Sequence, residues 1–376
     1  MQGNVLTWGR SPHGQLGQGR RHRNVMDTPT ALPTLAEQVC MSSCGHYHSA
    51  AVTASAQVYT WGRGALGLLG HGDEEDMLKP RLVRALVGTA IHRVACGEYH
   101  TAAVTELGHV YCWGWRMEHA DGASEKNATP VESYATSPYL VHALSDETVR
   151  TIACGPYCTA AATISGALYT WGRGDHGQLG HGHKRGLVDP ERVQCGVLMA
   201  SDAFSWDACF GRYWLLLLTA SGDVCSCGAT EGGVLGRRSD VLPGADARSL
   251  GIESWSAKRS AVATLSLHSI PALQEMRVCA IACGDAHNAA ATCEGEVYAW
   301  GRGAYGKLGH GGVSDAETPQ VVHMIRGKRV VEVRRFALRE GRTRCCALPN
   351  VFPLTAIRAT AGCVWLVLHS RAHYRR

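Results

Sequence analysis

Six residues in the first quarter of the chain have the spacing of a phosphate-binding turn. Gly62-Arg63-Gly64-Ala65-Leu66-Gly67 follows the apolar residues Val58 and Tyr59. A G-x-G-x-x-G string after a strand can bring backbone N–H groups close to a nucleotide phosphate. On its own the string is a weak indication of a nucleotide site, because glycine also serves ordinary turns.

The glycine string recurs along the chain. Copies of Trp-Gly-x-Gly-x-x-Gly-x-Leu-Gly-x-Gly lie at residues 6–19, 59–72, 169–182 and 298–311, the first with Ser-Pro at the second glycine. A nucleotide site needs one such string, whereas regular repetition is typical of solenoids and propellers. The glycines are therefore predicted to shape a turn in each repeat and not to bind phosphate.

A second motif, Ala-Cys-Gly-x-x-His-Thr-x-Ala, precedes the first at a fixed distance. Its clearest copies are residues 43–53 and 95–105, with echoes from Ala153 and Ala282. The step from its glycine to the glycine of the next Trp-Gly is always 17 residues: 45 to 62, 97 to 114, 155 to 172 and 284 to 301. Such a constant step predicts an antiparallel hairpin with a short turn.

The same step locates a divergent copy at Gly211 and Gly228. Cys227 then occupies the tryptophan position, Trp214 occupies the histidine position, and Phe210 is one inserted residue.

Both chain ends carry fragments of the repeat. Gly362, with Trp365 at the histidine position, indicates a last copy whose Trp-Gly partner would fall past Arg376. Residues 1–9 supply a Trp-Gly strand at the other end. We therefore expect the N-terminal strand to complete the final sheet and close a ring.

Each repeat has the composition of short β-strands. Segments such as residues 58–61 and 101–105 are β-favouring and bounded by glycine or polar turns, and helical periodicity is missing nearly throughout. A repeat of about 52 to 58 residues holds about four strands, and four-stranded sheets arranged radially form a propeller. The chain is predicted to be all-β: a single domain over residues 1–376, a seven-bladed β-propeller of four-stranded antiparallel blades.

Six blades are the alternative, because the C-terminal repeats are irregular. The wide gaps between Gly211, Gly284 and Gly362 leave room for a seventh blade, with candidate remnants at residues 255–264 and 330–348. The predicted repeats are approximately 1–54, 55–106, 107–164, 165–220, 221–292 and 293–370.

Composition excludes several classes of protein. The net charge is +5, from 37 Lys and Arg against 32 Asp and Glu, which is too small for a dedicated nucleic-acid-binding protein. No secretory segment follows Met1, and no apolar run reaches the roughly 20 residues of a membrane span. With 16 cysteines in 376 residues, we expect an intracellular protein, cytoplasmic or nuclear, whose cysteines are reduced and mostly buried.

The paired motifs resemble the repeats of the regulator of chromosome condensation family, and four strong and two divergent copies span nearly the whole chain. The resemblance implies a seven-bladed propeller closed by strands from both termini. It also implies function: founding members are guanine-nucleotide exchange factors for the small GTPase Ran and bind chromatin, whereas many members are thought to serve as scaffolds. The structural positions of the repeat are Trp8, Trp61, Trp113, Trp171, Trp300, Gly45, Gly97, Gly155 and Gly284.

Histidines and cysteines are numerous enough to suggest a zinc site. Two sets of histidines share repeat positions: His71, His181 and His310, and His48, His100 and His287. Equivalent positions on different blades lie far apart, and no Cys-x-x-Cys pair is present. We predict side-chain hydrogen bonds to the backbone for these histidines, and no metal or cofactor. No hydrolase, phosphate-loop or metalloprotease motif occurs either, so the protein is not predicted to be an enzyme, exchange activity aside.

The C-terminal segment is strongly basic. Residues 320–376 contain 12 Lys and Arg against 2 Asp and Glu, a balance of +10, so the remaining chain carries −5. A solvated basic face is one explanation, and a patch for an acidic protein surface, nucleic acid or anionic lipid is the other. Sparse aromatic residues disfavour base stacking and hence nucleic acid. The candidate contact residues are Arg334, Arg335, Arg339, Arg342 and Arg344.

Residues 115–139 replace the Gly-x-Leu-Gly loop of the third repeat with an irregular stretch. Long irregular loops on a rigid scaffold are frequent binding elements, and an eroded loop without function is the alternative. The candidate contact residues in it are Arg116, Glu118 and Asp121. The adjacent Trp113-Gly114-Trp115-Arg116 resembles the tryptophan-rich photoreceptor branch of the family. The resemblance is weak, because Trp113 fills the ordinary tryptophan position of the repeat.

Two functions follow from this reasoning. The missing catalytic motifs favour a non-catalytic scaffold for protein–protein interactions. The alternative is nucleotide exchange on a Ran-like GTPase, which proceeds by inserting a wedge and needs no catalytic side chain. No wedge residues can be matched in the sequence, and no basic tail of the chromatin-bound kind precedes the first repeat.

Overall fold

A computed structural model describes residues 5–32, 35, 37–119, 130–194, 205–237, 263–325, 330–334 and 365–368. In these residues, β-strands alternate with turns and single-turn 3-10 segments, which confirms the all-β prediction. They divide into two compact units, one of residues up to 173 with 186–193, and one of residues 174–185 with the described residues from 194 onwards.

The strands of the first unit are β1 (Leu6–Ser11), β2 (His22–Ala31), β3 (Val39–Cys44), β4 (His48–Thr53), β5 (Val58–Gly62), β6 (Met77–Leu82), β7 (Ile91–Cys96), β8 (His100–Thr105), β9 (Val110–His119), β10 (Pro130–Leu140), β11 (Val149–Cys154), β12 (Cys158–Thr163), β13 (Leu168–Gly172) and β14 (Leu187–Arg192). Those of the second unit are β15 (Ser205–Phe210), β16 (Trp214–Thr219), β17 (Val224–Ala229), β18 (Ala263–Ser269), β19 (Val278–Cys283), β20 (His287–Thr292), β21 (Val297–Gly301), β22 (Ala316–Val321), β23 (Val330–Arg334) and β24 (Trp365–Leu368). The 3-10 segments are Ala65–Gly67, Arg84–Leu86, His142–Leu144, Glu231–Gly233, Pro271–Leu273, Ala304–Gly306 and His323–Ile325.

Consecutive strands pair to form antiparallel blades. In the first unit β1 pairs with β2, and the sheets β3–β6, β7–β10 and β11–β14 each contain four strands. In the second unit β15–β18 and β19–β22 are four-stranded, and β23 pairs with β24. The described residues thus form five complete blades and two two-stranded sheets, which sets the blade count at six to seven. Seven blades, closure by the N-terminal strand and a single domain over residues 1–376 remain predictions.

The constant step of 17 residues is the register between the second and third strands of each blade. The pairs are His48 with Gly62, His100 with Gly114, Cys158 with Gly172, Trp214 with Gly228 and His287 with Gly301. The fourth pair confirms the divergent copy. The motif glycines Gly45, Gly97, Gly155 and Gly284 close the turn before the second strand, and the tryptophans Trp8, Trp61, Trp113, Trp171 and Trp300 are all buried.

Phe210 is not an inserted residue. It pairs with Leu215 as Cys44 pairs with Ser49, because the pairing of β15 with β16 runs from Asp207 to Phe210 without a bulge. Phe210 therefore takes the position of the motif cysteine, and Cys209 takes the position of Ser43.

The C-terminal repeat is described at two strands. β24 pairs with β23 in an antiparallel register. The run Val330-Val331-Glu332-Val333 favours a strand because its branched side chains suit a pleated sheet. This strand begins the candidate remnant at 330–348. The described end of the other remnant, Thr264, lies on β18 as part of the β15–β18 blade. The rest of both remnants lies outside the described residues.

In three of the Gly-x-Leu-Gly loops, one backbone carbonyl joins the blade to the next. Leu68 O, at the x position, accepts hydrogen bonds from Thr101 Oγ1 at 2.9 Å and from Trp113 Nε1 at 3.0 Å. Both donors belong to the following blade. The same arrangement joins Ser49 and Trp61 to Gln15 O, and Asn288 and Trp300 to Val234 O.

The glycines allow the loop to approach the strands closely. Gly62 has φ +110°, and a Cβ there would lie 2.5 Å from Tyr47 O. The Leu69 side chain is buried, and its carbonyl accepts a hydrogen bond from Thr60 Oγ1 at 2.6 Å. The opening glycine string is thus a blade turn, as predicted.

Buried histidines form a second link between blades. His48 Nε2 lies 2.7 Å from Thr101 Oγ1, and His100 Nε2 lies 2.9 Å from Thr159 Oγ1 on the next blade. His48 thus pairs with a threonine hydroxyl and not with the backbone as predicted. His100 also has a hydrogen bond to the backbone of Pro156, and His310 Nε2 lies 3.2 Å from the carbonyl oxygen of Ala299, as predicted. Burial lowers the pKa of His48 to about 3 and that of His100 to about 4.

The Thr101 hydroxyl serves both links. Thr101→Val keeps the shape of the side chain but leaves Leu68 O with one donor and His48 Nε2 without its partner. We expect a loss of about 2–4 kcal/mol in the free energy of unfolding, measured by urea denaturation. Thr101→Ser is the matched control, because Ser49 makes the equivalent bond in the preceding blade, and it should lose much less. Equal losses of unfolding free energy in Thr101→Val and Thr101→Ser would show that the hydroxyl does not stabilise the protein.

Acidification should destabilise the protein through these histidines. The folded state holds them neutral, whereas the unfolded chain takes up a proton near pH 6.5, so stability present above that pH is lost as the pH falls towards 4. Between pH 7 and pH 5 each should cost about 2 kcal/mol. Between pH 7 and pH 5, the free energy of unfolding of His100→Gln should fall by about 2 kcal/mol less than that of the wild type. Urea denaturation at the two pH values measures this difference. Identical pH dependence in both proteins would contradict this origin.

Candidate protein-binding face

The turn after each Cys-Gly motif presents a tyrosine at the same place in three blades of the first unit. The N–H of the motif glycine bonds to the carbonyl three residues later, at 2.7–2.9 Å, and fixes the turn. The tyrosine carbonyl then accepts the N–H of the residue after Trp-Gly. The resulting pairs are Tyr47 with Arg63 at 3.0 Å, Tyr99 with Trp115 at 2.7 Å and Tyr157 with Arg173 at 2.9 Å.

The side chains at these turns form one continuous row. Its first half begins with the Arg63 guanidinium, 5.1 Å from the centroid of the Tyr47 ring. The His46 ring stacks on Tyr47 at 4.3 Å, and His46 Nδ1 lies 3.6 Å from Glu98 Oε1 on the next blade. Cation–π, stacking and polar contacts thus follow one another across two blades.

The second half of the row crosses to the third blade. The rings of Tyr99 and Tyr157 stack at 4.6 Å, and Trp115 meets Tyr157 edge-on at 5.0 Å. The Arg173 guanidinium lies 5.4 Å from the Tyr157 centroid and is exposed. We call Tyr47, Tyr99 and Tyr157, with Arg63 and Arg173, the tyrosine row.

The environment raises the pKa of two tyrosines of the row. Burial, a hydrogen bond to Tyr157 and the neighbouring Glu98 raise the pKa of Tyr99, and burial also raises that of Tyr157. All three tyrosines are only half-buried, so a partner can reach them. Tyrosine and arginine are the residue types most enriched at binding hot spots. The arrangement is suited to binding another macromolecule through stacking and ion pairs.

Strands β9 and β10 extend past the rest of their blade. Pairing of β8 with β9 ends at Gly114, whereas residues 115–119 pair with residues 130–134 alone. We call these two segments the ribbon. The predicted irregular loop over 115–139 is therefore wrong at both its ends, because Trp115 and Met117 alternate with Arg116 and Glu118 as in a strand.

The ribbon carries charges next to the tyrosine row. Glu118 forms an ion pair with Arg116, whose guanidinium lies 4.9 Å from the Tyr139 ring centroid. Glu132 Oε1 lies 3.9 Å from Arg173 Nη1, which connects ribbon and row. Exposed pairs of this kind contribute little to stability, so a partner can replace either member at small cost.

The predicted contact residues are only partly described. Arg116 and Glu118 lie together on the ribbon, and Arg334 ends β23. Asp121, Arg335, Arg339, Arg342 and Arg344 lie outside the described residues. The tyrosine row was missed, although a tyrosine stands two residues after Gly45, Gly97, Gly155 and Gly211 in the sequence.

The described residues hold no group of three His, Cys, Asp or Glu side chains arranged to bind a metal ion. In the same part of the chain, no helix has the length and apolar character to cross a bilayer.

Curated proteins of several kinds are similar to this chain. The ultraviolet-B receptor UVR8 of Arabidopsis thaliana is 31% identical over 324 residues, 85% of this chain and 66% of the receptor. Human E3 ubiquitin-protein ligase HERC2 is 30% identical over 335 residues, 88% of this chain and 5% of the ligase. RCC1 domain-containing protein RUG3, mitochondrial, of Arabidopsis thaliana is 29% identical, over 87% of this chain and 72% of that protein. This chain spans just under two thirds of UVR8 and a twentieth of HERC2.

Solved structures agree in fold. Prp20p of Saccharomyces cerevisiae, described together with its binding to Gsp1p and histones, has a TM-score of 0.55 at 18% identity, covering 89% of this chain and 90% of its own. Human WBSCR16 has a TM-score of 0.52 at 21% identity, covering 90% of this chain and 97% of its own. At these identities the likeness shows the propeller fold alone.

A family model described as the RCC1-like domain matches residues 1–335. That span contains every complete blade described above, and the chain belongs to the RCC1-like domain family.

Proposed function

We propose that the protein is a non-catalytic platform for protein–protein interactions that docks a partner on the tyrosine row. The observation that carries the proposal is the continuity of the row from Arg63 to Arg173 across three blades, with its aromatic rings half-buried and its last guanidinium exposed. A surface that combines stacked rings with arginine forks favours a partner that presents carboxylates beside an apolar side chain. An intracellular location, in the cytoplasm or the nucleus, remains a prediction.

Charge reversal on the row tests this proposal. Arg63→Glu with Arg173→Glu removes both cation–π contacts and repels an acidic partner, so proteins recovered with the tagged wild type should fall by at least about tenfold. The measurement is quantitative mass spectrometry of affinity-purified complexes.

Arg84→Glu with Arg192→Glu is the matched control, because both arginines are exposed in the first unit at outer elements of their blades. It carries the same charge change and should retain the partners. Equal loss in both double variants would point to net charge and contradict the assignment of the row.

The basic C-terminal segment is proposed as a second contact for an acidic protein surface. Arg334, Arg335 and Arg339 changed together to Glu, in the same assay, test this segment separately from the tyrosine row. Retention of every partner by this triple variant would contradict a role for the segment.

The second candidate function is guanine-nucleotide exchange on a Ran-like GTPase. The observation that favours it is the ribbon, which extends past β8 and is a candidate for a wedge inserted into a GTPase. The binding of Gsp1p described for the similar Prp20p adds support.

Nucleotide release separates the two functions. As a platform, the protein should leave the release of fluorescent GDP from Ran at its intrinsic rate. As an exchange factor, it should accelerate release by orders of magnitude. This acceleration should be lost with Glu118→Lys on the ribbon and kept with Glu106→Lys, in the turn at the other end of β9. That result would establish exchange and contradict the platform proposal. Glu106 is exposed and serves as the matched charge change.

A further inference from the structure

Two cysteine thiols face each other between adjacent blades of the second unit. Cys209 is near the end of β15 and Cys283 ends β19, and their Sγ atoms lie 2.9 Å apart. The Cys283 Sγ also lies 3.4 Å from the Cys209 carbonyl oxygen. The pair therefore sits on the first strands of two consecutive blades.

An exchange of residue types at one repeat position creates the pair. In the first unit, Ser43 Oγ accepts a hydrogen bond from Cys96 N at 2.9 Å, and Cys96 Sγ lies 3.6 Å from Ser43 O. Cys209 takes the position of Ser43, and Cys283 that of Cys96. The geometry between blades is thus retained while a thiol replaces the hydroxyl.

The corresponding positions in the next pair of blades of the first unit hold Ala95 and Cys154. Among the complete blades that the structure describes within each unit, a thiol opposite the motif cysteine occurs only between β15 and β19.

We propose that Cys209 and Cys283 are a site of reversible oxidation that forms a disulfide between two blades. A disulfide needs its sulfurs about 2.05 Å apart, so closure requires an approach of under about 1 Å. The oxidant is a hydroperoxide. Two thiols and one hydrogen peroxide give one disulfide and two waters, with two electrons passing from the sulfurs to the peroxide.

The difference in solvent exposure between Cys209 and Cys283 sets the order of the two steps. Cys209 is half-buried, so its thiolate attacks the peroxide, breaks the O–O bond and becomes a sulfenic acid as the first water leaves. Cys283 is fully buried next to it, and its thiolate displaces the hydroxyl of the sulfenic acid, which leaves as the second water. A dithiol reductant reverses the reaction by thiol–disulfide exchange.

The bond would close a loop between residues 74 apart in sequence. Such a cross-link restricts the unfolded chain and resists separation of the two blades. Oxidation therefore switches this junction from a hydrogen-bonded contact to a covalent one.

The test uses the full chain, purified reduced, treated with hydrogen peroxide and then alkylated. We expect peptide mapping to recover a cross-linked peptide containing Cys209 and Cys283, and the mass of the intact protein, measured before alkylation, to fall by two hydrogens. We also expect the Tm to rise by several degrees, and dithiothreitol to reverse all three changes.

Two variants make the result specific. Cys209→Ser reproduces the Ser43 arrangement, so it should fold with the Tm of the reduced wild type and show neither the cross-link nor the shift. Cys279→Ser removes an exposed thiol from the same strand as Cys283 and should behave as the wild type. Recovery of both Cys209 and Cys283 as alkylated thiols after oxidation, or a cross-link between Cys44 and Cys96 in their place, would overturn the proposal.

Discussion

The repeat depends on one backbone carbonyl that accepts two hydrogen bonds from the following blade. Leu68 O receives both Thr101 and Trp113, and neither donor can reach it unless the loop lies flat against the next sheet. The flat path needs glycines with positive φ, such as Gly67 and Gly70. The glycines, the buried tryptophan and the strand hydroxyl are therefore parts of one interaction, although Thr101 and Trp113 lie 33 and 45 residues after Leu68 along the chain.

The divergent blade retains only part of this link, because Leu215 stands at the position of the strand hydroxyl and has no side-chain donor. Cys227 replaces the tryptophan, and its thiol lies 3.8 Å from Gln178 O, a weak bond compared with that of an indole N–H. At the histidine position, Trp214 Nε1 donates to Asn288 Oδ1 at 2.7 Å, so an indole and an amide replace the imidazole and the hydroxyl. The position of a polar contact is thus maintained even where both partners have changed.

The sequence predicted the strand pairing within one blade, because that pairing repeats at a fixed spacing. It did not predict the side-chain contacts that join one blade to the next. The 17-residue step set the hairpin register correctly, including Trp214 with Gly228. The partner of His48 was not predicted, because it is the hydroxyl of Thr101, 53 residues away in the next repeat. Phe210 was misassigned because alignment by residue type matched cysteine to cysteine, whereas unbroken strand pairing places Phe210 at that position. The ribbon was taken for a loop because only the missing glycines were considered.

The turns that carry the tyrosine row are held by backbone hydrogen bonds, so their side chains are not needed for the fold. The turn residues that make it bond through their backbone, as Arg63 N does to Tyr47 O, and their side chains take no part in the link through the loop carbonyl. One blade can therefore hold Trp115 where two others hold an arginine, with the same backbone bond. Side chains at these turns can vary between repeats without loss of the scaffold, and a face built in this way can acquire binding specificity while the glycines and tryptophans stay unchanged.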